Sequence, residues 1–315
     1  MSEARRVAGA LVACLAGLAL VSCGDEEDDV VVGAAGASIE GEQSLVQLPH
    51  GRLTFEVTDA EEIPDGAASD APSDGRFVGV DWTWEPGAGV PSLVSGFLIA
   101  DEVPADVRVQ VDGAWHDLGS AYDTSAGGVA GATFFVPAGD DVIAADVTLA
   151  VDFDGVEQTV QGDGSGLEAG VAAPMYEITD EPTRPECPAV LSPATVVGEA
   201  TCEAAFVELP YVTDLGWAAS GTTWVVADLS VTVAEVTVEG EDQPVVEQKE
   251  TISLDGAEPT AVLLDENGSG GVLRTQSVFA SEVGAARRLS YSRSLTTSQG
   301  PGVAEVTGEL TAPAP

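Results

Sequence analysis

The chain is 315 residues long and carries 53 acidic side chains against 11 basic ones, a net charge of −42. A surface of that sign repels phosphate backbones and anionic headgroups at short range, which excludes nucleic-acid binding. The length allows two domains of ordinary size, each large enough to bury its own core.

The first 23 residues have three parts. Arg5 and Arg6 give a positive start, an apolar run extends from Val7 to Val21, and Ser22 precedes Cys23. A basic start, a short apolar stretch and a small-residue cleavage site make a secretory signal over 1–22. The run is shorter than the roughly 20 residues that a membrane span needs. Leu20-Val21-Ser22-Cys23 resembles the bacterial lipobox, whose cysteine is acylated on sulfur and becomes the mature N-terminus. The resemblance implies a lipoprotein held by Cys23 on the extracytoplasmic face of the cell membrane. A plain secretory signal with a chance cysteine, or an uncleaved anchor, are the rival readings.

Residues 23–44 are Gly, Ala and acid, with Asp25-Glu26-Glu27-Asp28-Asp29 directly behind the lipidated cysteine. Such a stretch buries too little apolar surface to offset its ordering entropy, so a flexible spacer is expected. A floppy run of acids lacks the fixed cage that calcium requires.

Strand patterns follow. Leu53-Thr54-Phe55-Glu56-Val57 alternates with period two, and Phe77 to Trp84 is a longer run of the same kind. Val107 to Val111 leads into Asp112-Gly113, and Val147 to Phe153 leads into Asp154-Gly155. Asp-Gly between such runs signals a hairpin, because both central residues of the tight turn need positive φ. These elements predict a β-sandwich over 45–161.

Residues 162–193 are rich in Gly and Pro and read as a semi-rigid linker. Cys14 leaves with the signal and Cys23 takes the lipid. Cys187 and Cys202 remain, an even pair in an oxidising compartment, and are expected to form one disulfide. A metal site is the rival reading, but Pro188 follows one cysteine and no histidine is near either.

The second half, 194–312, repeats the plan of the first. Phe77 to Trp84 lines up with Trp224 to Val231, and Val57-Thr58-Asp59 with Val212-Thr213-Asp214. Val109 to Ala114 matches Ile252 to Ala257, and Phe135 to Ala138 matches Val278 to Ser281, with strands following at Val147 and Leu289. The blocks keep one order, as duplication would leave them. The fold expected is all-β: two tandem immunoglobulin-like sandwiches.

The order of blocks resembles an uncharacterised immunoglobulin-like family common behind lipoprotein signals in Gram-positive bacteria. The residues that carry it are the Phe77 to Trp84 strand, the Asp112-Gly113 hairpin and Phe134-Phe135-Val136-Pro137. The second half departs from it in having Ala280 where the first has Pro137. The resemblance implies a fold and a location but no catalytic residues.

No catalytic set stands out. His50 and His116 read as surface residues, and no cysteine is left as a nucleophile. No nucleophile elbow, phosphate loop or zinc motif is present. Asp152-Phe153-Asp154-Gly155 opens like a calcium loop but lacks the later Glu, and a hairpin explains it. Asp140-Asp141 reads as a turn cap. Trp82 and Trp84, two apart on one strand, read as core, with a sugar-stacking platform as the alternative. Trp115, just past a turn, is the one candidate for an exposed binding contact. No cofactor or metal is expected. The chain reads as a non-enzymatic envelope module that meets the membrane through its lipid and binds an envelope protein or polymer. The alternatives are an envelope hydrolase built on clustered carboxylates and a carrier of small ligands or cations.

Overall fold

The computed structural model of the chain describes residues 30–33, 37–62, 75–94, 103–122, 133–178, 181–193, 196–243, 245–267, 272–297 and 300–312. The apolar run 7–21, Cys23 and the acids at 25–29 lie outside the described residues. Among those described, no helix is long and apolar enough to cross a membrane.

The fold is all-β. The first half holds β1 (Val31–Val32), β2 (Glu42–Leu48), β3 (Gly51–Val57), β4 (Arg76–Pro86), β5 (Ala105–Val111), β6 (Ala114–Ser120), β7 (Phe134–Ala138), β8 (Thr148–Phe153) and β9 (Val156–Gln161). One sheet has the order β1-β7-β4-β3-β2 and the other β6-β5-β8-β9, with antiparallel pairing throughout. Period-two alternation decides which side chains face inward. On β3, Leu53, Phe55 and Val57 are buried while Arg52, Thr54 and Glu56 are half-buried. Val107, Val109 and Val111 do the same on β5, and the two inner faces close on one core. Burying each such side chain contributes about 1.5–3 kcal/mol. Asp112-Gly113 and Asp154-Gly155 turn the hairpins as expected, with φ of 50° and 81°, then 49° and 74°.

The second half holds β10 (Val190–Ser192), β11 (Val196–Leu209), β12 (Tyr211–Val212), β13 (Gly216–Trp217), β14 (Thr222–Val238), β15 (Glu241–Asp242), β16 (Val245–Leu254), β17 (Ala261–Asn267), β18 (Val272–Glu282), β19 (Arg287–Thr297) and β20 (Gly300–Ala312). Its sheets run β11-β14-β18-β17 and β10-β20-β19-β16, around a second core.

The internal repeat holds at the level of strand register. Phe77 pairs with Pro137 and Val78 with Val136, just as Trp224 pairs with Ala280 and Val225 with Phe279. Val109 faces Leu149 as Ile252 faces Tyr291. One expected block fails. Val57 pairs with Val80, and its counterpart by register is Phe206, which pairs with Ala227; Val212 lies six residues beyond. The Val-Thr-Asp match was a coincidence of short polar-apolar spacing.

The expected spacer at 23–44 is shorter than its composition implies. Val31 and Val32 pair with Phe135 and Phe134, and Gly33 donates its N–H to the Thr133 carbonyl at 2.7 Å. Ile39 packs on Phe77 and Phe135. The edge of β7 offers unpaired backbone groups, and the valines that follow the acids supply both the pairing and apolar cover. β2 then begins at Glu42.

The Gly- and Pro-rich segment 162–193 is tied down by contacts with both halves. A 3-10 turn at Gly170–Tyr176 buries Ala172 and Met175. The Tyr176 hydroxyl donates to Gln158 Oε1 at 2.8 Å and accepts from the Gln47 N–H at 3.1 Å. Thr183 exchanges both backbone hydrogen bonds with Phe206, and Val190–Ser192 pairs with β20. Gly308 permits the last contact, since a Cβ there would lie 2.2 Å from the Pro188 carbonyl oxygen.

The halves interlock. Tyr211 is buried in the first core, and Trp217 donates its Nε1–H to the Phe153 carbonyl at 3.1 Å. Val94 packs on Val207, Leu209, Val226 and Val278, covering the outer face of the second half's first sheet.

Candidate functional site

The strand after the Asp-Gly turn takes different places in the two sandwiches. In the first, β6 folds back on β5 and covers its edge. In the second, β17 crosses to the opposite sheet and pairs with β18. There it takes the place that β1 holds beside β7: Ala261 faces Val278 as Val31 faces Phe135, and Val262 faces Ser277 as Val32 faces Phe134. β16 is therefore left at the end of its sheet, and the flank between β16 and β17 is open.

Side chains at that flank differ in size and polarity. In the first sandwich, Trp82 stacks on Phe134 at 5.3 Å with the rings 3° from parallel. Register puts Leu229 and Ser277 at those two places in the second. A cleft of about 510 Å³ results, within the usual range for ligand sites. Lys249, Glu250 and Ile252 line it from β16, Val262 and Asp265 from β17, and Leu273, Thr275 and Ser277 from β18, with Glu258 at the rim.

Glu250 faces Arg293 across β16 and β19. The corresponding residues of the first sandwich are Val107 and Val151, a fully buried apolar pair. Arg293 is itself 0 % exposed. Its Nη1 donates to the carbonyl of Val231, whose strand partner Leu273 lines the cleft, whereas Nε and Nη2 have no partner. Glu250 Oε1 is likewise buried without a partner. Burial pushes the Glu250 carboxyl up to about 7; Arg293 opposes the rise and Asp265 adds to it. Burial also holds the Arg293 guanidinium down at about 10, against the charge of Glu250. The second buried arginine is a contrast. Arg287 pairs with Glu208 through Nη1, with Ser281 Oγ through Nε and with the Glu282 carbonyl through Nη2. Arg287 is a completed structural tie, while Arg293 holds two buried donors without hydrogen-bond partners.

Sequence reasoning missed this site, although its signal was present. Glu250-x-Ile252-x-Leu254 and Leu289-x-Tyr291-x-Arg293-x-Leu295 each put a charge on the inward phase of an alternating strand.

The expected site residues fall elsewhere. Cys187 and Cys202 form the disulfide, with Cα atoms 5.3 Å apart, and tie the segment before β10 to β11 beside the second core. Trp115 lies on β6, 42 % exposed, with the Arg108 guanidinium 5.1 Å from its ring centroid. Trp82 is buried and donates to the Ala121 carbonyl, and Trp84 is half-buried against the first core. His50 is a correction: it is half-buried, its ring within about 5 Å of Trp84, Tyr122 and Phe153, because β2 and β3 turn there over the end of the core. His116 is half-buried on β6. Asp152 and Asp154 belong to a hairpin, and Asp140-Asp141 lie in a turn. Among the described residues, no three His, Cys, Asp or Glu side chains group closely enough to hold a metal ion.

No known family model matches the chain, and neither does any curated protein.

Proposed function

We propose that the chain is a lipid-anchored binding module of the cell envelope, with immunoglobulin-like sandwiches held on the extracytoplasmic face of the membrane through Cys23. The cleft between β16 and β17 is the observation that carries the binding half of this reading, because it joins open volume to a buried Glu250 oxygen that lacks a hydrogen-bond partner. Leu20-Val21-Ser22-Cys23 carries the location. Val31 follows Cys23 by eight residue steps, so β1 stands at most about 28 Å from the lipidated residue. The first sandwich is thus kept close to the bilayer, and the second carries the binding surface.

The test is fractionation of cells expressing the chain and a Cys23→Ser variant, with mass measurement of the mature N-terminus. Acylation at Cys23 and release of the variant are expected. A processed Cys23→Ser protein that stays with the membrane would overturn the assignment. Crosslinking in native cells, with both forms compared, then identifies the envelope component that the module holds.

A hydrolase is the second reading. Glu250, its carboxyl pushed up to about 7 by burial, shares one cleft with the exposed Asp265, and acid–base catalysis draws on paired carboxyls. Turnover of an envelope glycan that vanishes in Glu250→Gln would favour it over the module.

A further inference from the structure

We infer that the edge of β16, with the cleft behind it, receives an extended peptide segment in which apolar and basic side chains alternate. The inference rests on the binding-module reading and names the ligand class for it.

The comparison between the two halves is the starting point. In the first sandwich β5 pairs on both sides, with β6 and with β8. Its counterpart β16 pairs with β19 alone among the described residues, because β17 has gone to the other sheet. A strand of ten residues is thereby left with one row of backbone donors and acceptors facing outward. Such a row is a template for another strand, and adding one would restore the arrangement that β6 gives the first sandwich.

Two observations select the occupant. The first is charge. Glu250, Glu258 and Asp265 line the cleft against Lys249, so the lining is net acidic. A second copy of the chain is the wrong partner, since each carries −42. Lys249, the one lysine in the chain, sits on this edge, and a lysine on an edge strand opposes self-pairing. The second is the inner lining. Ile252, Val262 and Leu273 supply apolar contact, while Glu250 Oε1 is a buried acceptor without a partner. A strand laid along β16 presents alternate side chains inward, so its apolar phase meets Ile252, Val262 and Leu273 while its basic phase stays outward, where the exposed carboxylates Glu258 and Asp265 attract it.

The experiment uses the full mature chain carrying Cys23→Ser and a capped, fluorescent decapeptide of alternating Val and Lys. Saturable binding by fluorescence anisotropy is expected. N-methylating every second amide removes one row of N–H donors, so one of the two methylation registers should weaken binding at least tenfold and the other should not. Backbone amides within 245–253 should exchange at least tenfold more slowly at saturation, with β6 unchanged. Glu258→Gln combined with Asp265→Asn, both exposed and therefore safe for folding, should weaken binding at least fivefold. Equal binding of a Val and Glu decapeptide would overturn the proposal, as would protection on another edge, indifference to N-methylation, or no binding. Peptide binding is read on the isolated chain whether or not Cys23 is acylated in cells. Its failure is therefore separate from failure of the envelope location.

Discussion

Glu250 and Arg293 stand opposite each other on β16 and β19, in the places that Val107 and Val151 fill in the first sandwich. A charged pair thus occupies a position where the same fold, in the same chain, is satisfied by two valines. Removing one member of a buried pair leaves the other uncompensated, whereas replacing both with apolar groups is often neutral or stabilising. Glu250→Val should therefore cost about 3 kcal/mol, because Arg293 keeps its buried charge. Glu250→Val with Arg293→Met should match or exceed the parent in stability. Urea unfolding of the four members of the cycle decides it; an additive cycle would mean that the two residues do not interact.

The pair also predicts how stability depends on pH. The folded chain holds the Glu250 carboxyl up at about 7, against an ordinary value of 4.5. Between those two values the folded state binds a proton that the unfolded state has lost. Stability contributed at this site is therefore greatest at low pH and falls as pH rises through about 7. Arg293 and Tyr291 on β19 and Asp265 on β17 are the charged and titratable groups that act on it. Glu250→Gln removes the titration, so the difference in unfolding free energy between pH 5 and pH 8 should shift by on the order of 3 kcal/mol. An unchanged difference would place the Glu250 carboxyl in its ordinary range.

Trp217 couples the two sandwiches. Its indole donates to the Phe153 carbonyl and meets the rings of Phe153 and Tyr211 edge-on, at 6.1 Å and 5.1 Å. Trp217→Ala should cost about 3 kcal/mol, taken from the junction, and split thermal unfolding into two resolved transitions. A single sharp transition at the parent temperature would show that the junction does not depend on this ring.

The disulfide should act locally. Cys187 and Cys202 close a loop of 15 residues, which in the chain-entropy view stabilises by about 3 kcal/mol. Replacing both cysteines with alanine should lower the stability of the second sandwich by about that amount. The first should be left as it was, with hydrogen exchange on β3 and β5 as the readout.

Much of the fold was legible because period-two alternation and Asp-Gly turns are local. Leu53, Phe55 and Val57 go inward on any sheet that buries one face of β3, and Asp112-Gly113 turns a hairpin wherever it lies. The repeat was legible for the same reason, since Trp224 to Val231 keeps the phase of Phe77 to Trp84. Composition misled at the joints. Val31-Val32 looked like part of an acidic spacer, and 162–193 looked like a linker, because neither carries a periodic signal of its own. Each is ordered by a partner distant in sequence, Phe134-Phe135 in one case and Gln47, Phe206 and β20 in the others.

By itself, the sequence determined the all-β class, the cysteine pairing, most blocks of the repeat and the strongly acidic charge. All of these follow from neighbours along the chain or from composition. Only the tertiary structure decided that β17 leaves β16 for β18, that Ser277 and Leu229 stand where Phe134 and Trp82 fill the first flank, and that Glu250 and Arg293 meet. Which edge a strand joins depends on competition among backbone rows that come together only when the sheets pack. The open flank of the second sandwich is the outcome of that competition.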